Sequence, residues 1–348
     1  MAWYHTTGQD QDIVLYTDVR LARNLRAYPF THRLDATGAR RIIDSVGIVL
    51  EENGFCKKDF ADISRAEAYS LVEQQYASLS FVKKSLPHAL YLNEPCSMSA
   101  MLCEEDHINL QCILAGRALS EAYASVSRIE KHLDERFDMA FMEDEGYLSP
   151  FPRSLDSGMQ VSALLCLPAM AETVQTGRWV ERLLGVGVCL RSLHEEKGSQ
   201  VGSLFHLSYR PPVSQSEAAA IAFVDEILTA LITEERSALH TAIPLVAEQR
   251  MDRVMRAVGT LHYARLIHTS ELLNLLADVR QGIRMGVVTG VNMETLTALM
   301  MESLPAGLSM TDAYNEIDSA SPLADAAARA TYVRERFAEG VYSLNTTA

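Results

Sequence analysis

The sequence is short of basic charge, of paired cysteines and of long apolar runs, and each shortage removes a class of function. Lys and Arg total 31 against 45 Asp and Glu, a formal net charge of −14. A chain this acidic is poorly suited to tracking a nucleic-acid backbone, so no nucleic-acid partner is expected. None of the six cysteines (Cys56, Cys96, Cys103, Cys112, Cys166 and Cys189) forms a C-x-x-C pair, which removes zinc ribbons and thioredoxin-type redox motifs. The ten histidines show no H-E-x-x-H spacing, and no metal site is expected. No apolar run approaches the ~20 residues that span a bilayer. The opening Met1-Ala2-Trp3-Tyr4-His5 has neither the basic nor the apolar region of a secretion signal. Scattered thiols without an export signal imply a cytoplasmic protein with no membrane partner.

What is present describes a globular chain. Its 348 residues are 48% hydrophobic and 22% charged. At roughly 100–200 residues per domain this suggests two domains with sizeable cores. Helical spacing of apolar residues appears over Arg40–Leu50 and Ser64–Ser78. From Ser97 the period changes to two: Met98, Ala100 and Leu102, then Ile108, Leu110 and Cys112, alternate with their neighbours. The polar run Glu104-Glu105-Asp106-His107 between them reads as a hairpin tip. A helix over Leu119–Asp138 follows. Further strand-like runs lie at Val161–Leu167, Val186–Arg191 and Val201–Tyr209, with a helix-sized segment over Ala169–Leu184. The pattern predicts an α+β fold, a mostly antiparallel sheet with helices laid against it. Ser214-x-x-Glu217 is a capping-box candidate for a helix from Ala218 to about Leu239. Beyond it the strong signals are helical: Asp252–Ile267, Glu271–Arg284, Asn292–Glu302, and a last helix opened by Ser321-Pro322. The change of period places a domain boundary at 245, with residues 1–245 mixed and residues 246–348 all-helical.

Clustered carboxylates at a hairpin tip can hold a guanidinium in a bidentate fork, take a proton or bind a divalent metal. The motifs around them narrow the choice. Asp12-Ile13-Val14-Leu15-Tyr16-Thr17-Asp18-Val19-Arg20-Leu21-Ala22-Arg23-Asn24-Leu25 resembles the I-V-L-S-S-R-x-R-L-A-R-N-L segment of bacterial protein arginine kinases, a branch of the phosphagen (ATP:guanido) kinase superfamily. Cys103-Glu104-Glu105-Asp106-His107-Ile108-Asn109-Leu110-Gln111-Cys112 is similar to that family's N-E-E-D-H-I-R-I-Q-C. Gly146-Tyr147-Leu148, Phe151-Pro152, Ser157-Gly158 and Leu165–Pro168 give a third match. Asp252-Arg253-Val254, Gly259-Thr260-Leu261, Tyr263-Ala264-Arg265 and Asp278-Val279-Arg280 give a fourth. The matches stay in order over nearly the whole chain.

The resemblance implies a phosphagen-kinase-like domain over 1–245 and a helical dimerisation domain over 246–348. It implies Mg-ATP as cofactor, transfer of the γ-phosphoryl group to arginine side chains of proteins, and Glu105 and Glu196 as the carboxylates that hold and deprotonate the guanidinium. The partners it implies are a second copy of the chain, a zinc-binding activator protein, and a Clp-type unfoldase or its adaptors. The departures fall on the phosphate clamp. Arginines that the family places around the ATP phosphates become Asp18, Asn109 and Gln160, while Arg20 and Arg191 remain. The family's active-site cysteine becomes Phe151, with Arg153 nearby as a candidate replacement cation. A phosphoarginine-reading motif, R-D-x-x-R-A, keeps only Arg329 and Ala330. Phosphoryl transfer depends on positioning and charge neutralisation, and a hydrogen bond to a charged group contributes roughly 1.5–3 kcal/mol. The substitutions therefore point to a pseudokinase acting as a dimeric regulatory protein in protein quality control. The alternative is an active, divergent kinase with a rebuilt clamp. Arg20 and Arg23 are each open to a purely structural reading.

Overall fold

The computed structural model describes residues 2–60, 62–151, 157–173, 175–194, 200–212, 214–241, 244–315, 323–338 and 343–344. In chain order the elements are β1 (Val14–Arg23), α1 (Ala36–Glu52), β2 (Phe55–Lys58), α2 (Arg65–Glu73), α3 (Leu79–Val82), β3 (Ala89–Asn93), β4 (Met98–Leu102), β5 (Ile108–Ala115) and α4 (Leu119–Asp134). Then come β6 (Phe141–Met142), β7 (Gly146–Tyr147), β8 (Met159–Cys166), α5 (Pro168–Ala171), α6 (Gln175–Gly185), β9 (Val188–His194) and β10 (Gln200–Tyr209). The remainder is α7 (Glu217–His240), α8 (Pro244–Tyr263), α9 (Thr269–Arg284), β11 (Val288–Thr289), α10 (Met293–Glu302), α11 (Pro305–Leu308), α12 (Asp312–Asn315), α13 (Ala324–Ala338) and β12 (Ser343–Leu344).

Eight strands form one sheet in the order β2-β3-β4-β5-β1-β8-β10-β9. The pairs from β2 through β5 to β1 are antiparallel. This is the α+β arrangement that the change of period implied. The expected strands and hairpin stand within about two residues of their predicted places. The segment Ala169–Leu184 is two helices, α5 and α6, rather than one. The C-terminal region is helical except for a short antiparallel ladder of β11 with β12.

The chain divides into two compact units, each discontinuous in sequence. The first holds Met1–Trp3, Tyr16–Ala163 and Ser208–Ile227. Helices α1 and α2 start at side-chain caps: Asp35 accepts from the Gly38 N–H at 2.6 Å and Ser64 from the Glu67 N–H at 3.1 Å, each satisfying an otherwise orphaned donor. Helix α1 buries Ala39, Ile42, Ile43, Val46, Val49 and Leu50, a stripe at helical spacing. Arg23 locks β1 in place. Its side chain is wholly buried, donating to Glu130 at 2.8 Å and Glu217 at 3.0 Å, with the guanidinium 3.5 Å above the Tyr147 ring. This explains one departure from expectation. Helix α7 starts at Glu217 and is capped by Ser216, whose hydroxyl accepts from the Ala219 N–H at 3.3 Å. Ser214 does not form a capping box with Glu217, because that carboxylate is engaged by Arg23 and by the Tyr123 hydroxyl. The Ser321-Pro322 helix start lies outside the described residues.

The second unit holds Tyr4–Leu15, Leu164–Leu207 and Leu228–Ala348. Three arginines tie the segment 4–15 into it. Arg236 donates to Asp10 at 2.8 Å and to Asp12 at 3.0 Å. Arg280 donates to the Gln11 carbonyl at 2.7 Å and to the Thr297 hydroxyl at 2.9 Å. Arg284 pairs with Asp12 at 3.6 Å and donates to Glu235 at 2.8 Å. Glu235 also accepts from the backbone N–H groups of Ala169 and Met170, at 3.1 and 2.8 Å. Burial pushes the Glu235 carboxyl above its ordinary value, against the pull of Arg284. No helix among the described residues is long and apolar enough to cross a membrane.

Candidate functional site

The hairpin between β4 and β5 carries Glu104-Glu105-Asp106-His107, and two of the four side chains fasten it. Asp106 Oδ1 accepts from the Asn24 amide and the Ser149 hydroxyl, both at 2.6 Å. The His107 backbone N–H donates to Asn24 Oδ1 at 2.9 Å. The ring accepts the Leu25 N–H at Nδ1, 3.0 Å. Its proton therefore sits on Nε2, which faces the Pro29 carbonyl at 3.0 Å. Burial pushes the imidazole below its ordinary pKa, in keeping with a neutral ring. The two motifs that stood far apart in sequence thus hold each other.

Glu104 is also engaged. Its Oε1 accepts from the hydroxyls of Ser78 and Ser80, at 2.8 and 2.7 Å, and its Oε2 from the Glu105 N–H at 2.7 Å. The Lys84 ammonium donates to the Glu104 carbonyl, and the Thr31 hydroxyl to the Glu105 carbonyl. Both carboxylates line a cavity of about 310 Å³, where Glu105 is the more exposed of the two.

The cavity is floored by one face of the sheet. Strand alternation puts Asp18, Arg20 and Ala22 on that face. The β1–β5 register sets Gln111 opposite Arg20 and Asn109 opposite Ala22. Arg20, Asn109 and Gln160 line the cavity together with Glu105. Asp18 is 2% exposed; its Oδ2 accepts from Arg20 Nε and from the Ser162 hydroxyl, both at 3.0 Å. Gln160 Oε1 accepts from the Arg210 guanidinium. Asp18 Oδ1, Asn109 Oδ1 and Gln111 Nε2 are buried and have no hydrogen-bond partner among the described residues. Gly158 closes the edge at φ +60°, and an added Cβ would stand 2.5 Å from the Ala22 carbonyl oxygen. Only glycine meets both demands without strain.

Of the residues singled out from sequence, Arg20, Glu105, Asn109 and Gln160 line this one cavity, and Asp18 is paired with Arg20. Arg191 stands on β9 in the second unit, lining a different cavity of about 670 Å³ with Glu181, Leu190 and Phe205. Glu196 and Arg153 lie outside the described residues. Phe151 donates its N–H to the Ser149 hydroxyl at 3.2 Å. Arg329 is buried, donating to the carbonyls of Ser303 at 2.9 Å and Ile267 at 3.1 Å, so part of its donor set is committed to the backbone. Sequence reasoning missed Arg210, which lines the cavity from the end of β10. Motif matching looks only at positions where the family keeps a cation. The one available signal was an arginine closing a strand just before Pro211-Pro212.

The donor set does not suit a nucleoside triphosphate, which arrives with net negative charge and needs converging cations. The lining offers Arg20 and Arg210 against Glu104 and Glu105, and Asp18 pairs directly with Arg20. Of the orphaned buried atoms here, Asp18 Oδ1 and Asn109 Oδ1 are acceptors and only Gln111 Nε2 has the polarity to meet a phosphate. We derive no step through ATP.

Comparison with known proteins agrees with this architecture. Residues 44–238 match the family described as ATP:guanido phosphotransferase, C-terminal catalytic domain. Among solved structures, the duplicated taurocyamine kinase of Schistosoma mansoni superimposes with a TM-score of 0.60 at 17% identity, covering 77% of this chain and 40% of that one. Lombricine kinase does so with a TM-score of 0.57 at 15% identity, covering 66% and 67%. The fold is thus that of the guanido phosphotransferases. Residues 247–346 match the protein-arginine kinase McsB C-terminal domain. A protein-arginine kinase of Symbiobacterium thermophilum is 32% identical over 345 residues, 96% of each chain. Another, from Desulforamulus reducens, is 30% identical over 341 residues, 96% of this chain and 94% of the relative. The chain belongs to the protein-arginine kinase family.

Proposed function

We propose that this chain is a catalytically impaired protein-arginine kinase homologue that binds guanidinium groups without phosphorylating them. In this reading it acts as a dimeric regulatory protein of cytoplasmic quality control. The observation that carries the proposal is the Asp18–Arg20 pair. An arginine of the phosphate clamp has become a carboxylate, and that carboxylate neutralises a neighbouring clamp arginine at 3.0 Å. Asn109 and Gln160 replace two further cations on the same cavity. A clamp stripped in this way loses both ground-state affinity for Mg-ATP and stabilisation of the charge that develops during transfer. Glu105 keeps its place at the cavity, so the guanidinium half of the site outlives the phosphate half. Residues 1–245 would form the phosphotransferase-like domain and 246–348 the dimerisation domain. A zinc-binding activator protein and a Clp-type unfoldase or its adaptors would be the partners.

Calorimetric titration of the full chain with Mg-ATP at near-physiological salt tests this reading. The expected result is no binding at millimolar nucleotide. Micromolar binding would overturn it in favour of an active, divergent kinase transferring the γ-phosphoryl group to protein arginines with Glu105 and Glu196. One observation favours that second reading: Arg210 brings a cation to the cavity that the family pattern does not supply.

A further inference from the structure

We infer that a small cavity in the second unit, where α7, α8 and α9 meet, binds a small monocarboxylate. Its volume is about 210 Å³, and its walls are Leu239, His240, Ala247, Arg250, Arg284 and Met285. All six belong to the second unit, and the inference is independent of how the cavity beside the β4–β5 hairpin is read. At about 30 Å³ per water in the liquid, the space equals that of about seven waters, which suits a short organic acid. The walls hold two guanidiniums and an imidazole but no carboxylate, in a chain that carries 45 acidic residues against 31 Lys and Arg.

Both arginines are built into the wall: the Arg250 side chain is 3% exposed and that of Arg284 5%. Each is gripped at two nitrogens and keeps the third. Arg250 donates from Nε to Glu172 at 2.9 Å and from Nη1 to the carbonyls of Ala238 and Leu239, at 3.3 and 3.1 Å. Its Nη2 makes no hydrogen bond among the described residues. Arg284 donates from Nη1 to Glu235 and sets Nε against Asp12, while its Nη2 is buried with no partner. A guanidinium is a rigid planar fork, so fixing two nitrogens also fixes the third. Unpaired buried donors are costly, and an acceptor brought into the cavity relieves that cost. Charge selects the acceptor. Glu172, Glu235 and Asp12 already match the guanidiniums from behind. Helix α7 ends at His240 and α9 is capped by Met285, which brings the negative ends of two helix dipoles close. A dianion is repelled by these surroundings, whereas a single carboxylate meets the forks in charge-assisted hydrogen bonds. Leu239, Ala247 and Met285 give its short stem an apolar wall.

Calorimetry on the full chain at constant ionic strength tests this with butyrate, its neutral amide butyramide, and inorganic phosphate. Butyrate should bind at millimolar concentration, about tenfold or more tighter than either other probe, as a charge-assisted hydrogen bond allows. Arg250→Lys and Arg284→Lys keep the charge and remove the fork, and each should weaken butyrate about tenfold. Ala247→Glu, at an exposed position on α8, leaves both buried pairs in place and should abolish binding by setting a carboxylate in the wall. No butyrate heat at millimolar concentration, or butyramide binding as tightly as butyrate, would overturn the inference. So would phosphate binding as tightly as butyrate, or an unchanged butyrate affinity in both lysine variants with unaltered melting curves. If the lysine variants do not fold, Ala247→Glu decides, and butyrate binding retained there overturns the inference. None of these readouts involves nucleotide, so failure here is distinct from failure of the Mg-ATP test.

Discussion

Arg20 and Arg23 stand three positions apart on one strand and face opposite sides of the sheet, and their surroundings give them opposite tasks. Arg23 is structural. Its guanidinium is shared by Glu130, Glu217 and the Tyr147 ring in a site closed to solvent. Removing one partner of a buried ion pair leaves uncompensated charge and costs about 3–5 kcal/mol. Arg23→Ala should therefore lower the free energy of unfolding by about that much, read as a lower urea midpoint with no change in slope. Arg20 is a site residue restrained by its neighbour. Asp18→Asn keeps an acceptor for the Ser162 hydroxyl and releases the charge on Arg20. We expect it to make Mg-ATP binding detectable by calorimetry at millimolar nucleotide, where the unaltered protein gives no heat. Unchanged heats would mean that Arg20 is not what limits nucleotide affinity.

The hairpin of β4 and β5 shows what a motif can and cannot reveal about an element. Its place and its polar tip were legible because period-two alternation ended at a run of charge. The division of labour at the tip was not, since Asn24, Ser78, Ser80 and Ser149 come from distant segments. Strand β1 gave no periodic signal because it is buried on both faces almost throughout; the motif resemblance marked the segment without identifying it as a strand. The same hairpin makes the fold sensitive to acid. His107 is held neutral in the native state, with its pKa depressed by burial, whereas the unfolded chain protonates near pH 6.5. Its contribution to stability is complete above that value and is lost as pH falls below it toward the depressed native value. Urea midpoints should thus drop between pH 7.5 and 5.5, and His107→Gln should flatten the dependence.

On the scale of the whole molecule, the change from mixed to helical signals near 245 was readable, whereas the grouping of residues into compact units was not. Polar contacts between segments far apart in sequence run within each unit, and sequence does not announce such partners. Glu235 depends on Arg284, and the Gln11 carbonyl on Arg280. A fragment ending at residue 245 would leave Glu235 without Arg284 and residues 4–15 without Arg280, with only Arg236 still holding Asp10 and Asp12. It should elute as an aggregate or show a molten circular-dichroism signature with no cooperative melt; a sharp thermal transition in that fragment would contradict this.

The anchoring of residues 4–15 also dictates when the protein can finish folding. Gln11 and Arg280 are separated by 269 positions, so the contact cannot form until that much further chain has left the ribosome. At about 5–20 residues per second, the N-terminal segment waits roughly a quarter of a minute to a minute for its partner. During that interval Tyr4, Ile13, Val14 and Leu15, all buried in the finished fold, are exposed on a growing chain. Apolar surface exposed for that long favours aggregation over folding until the partner segment has been made.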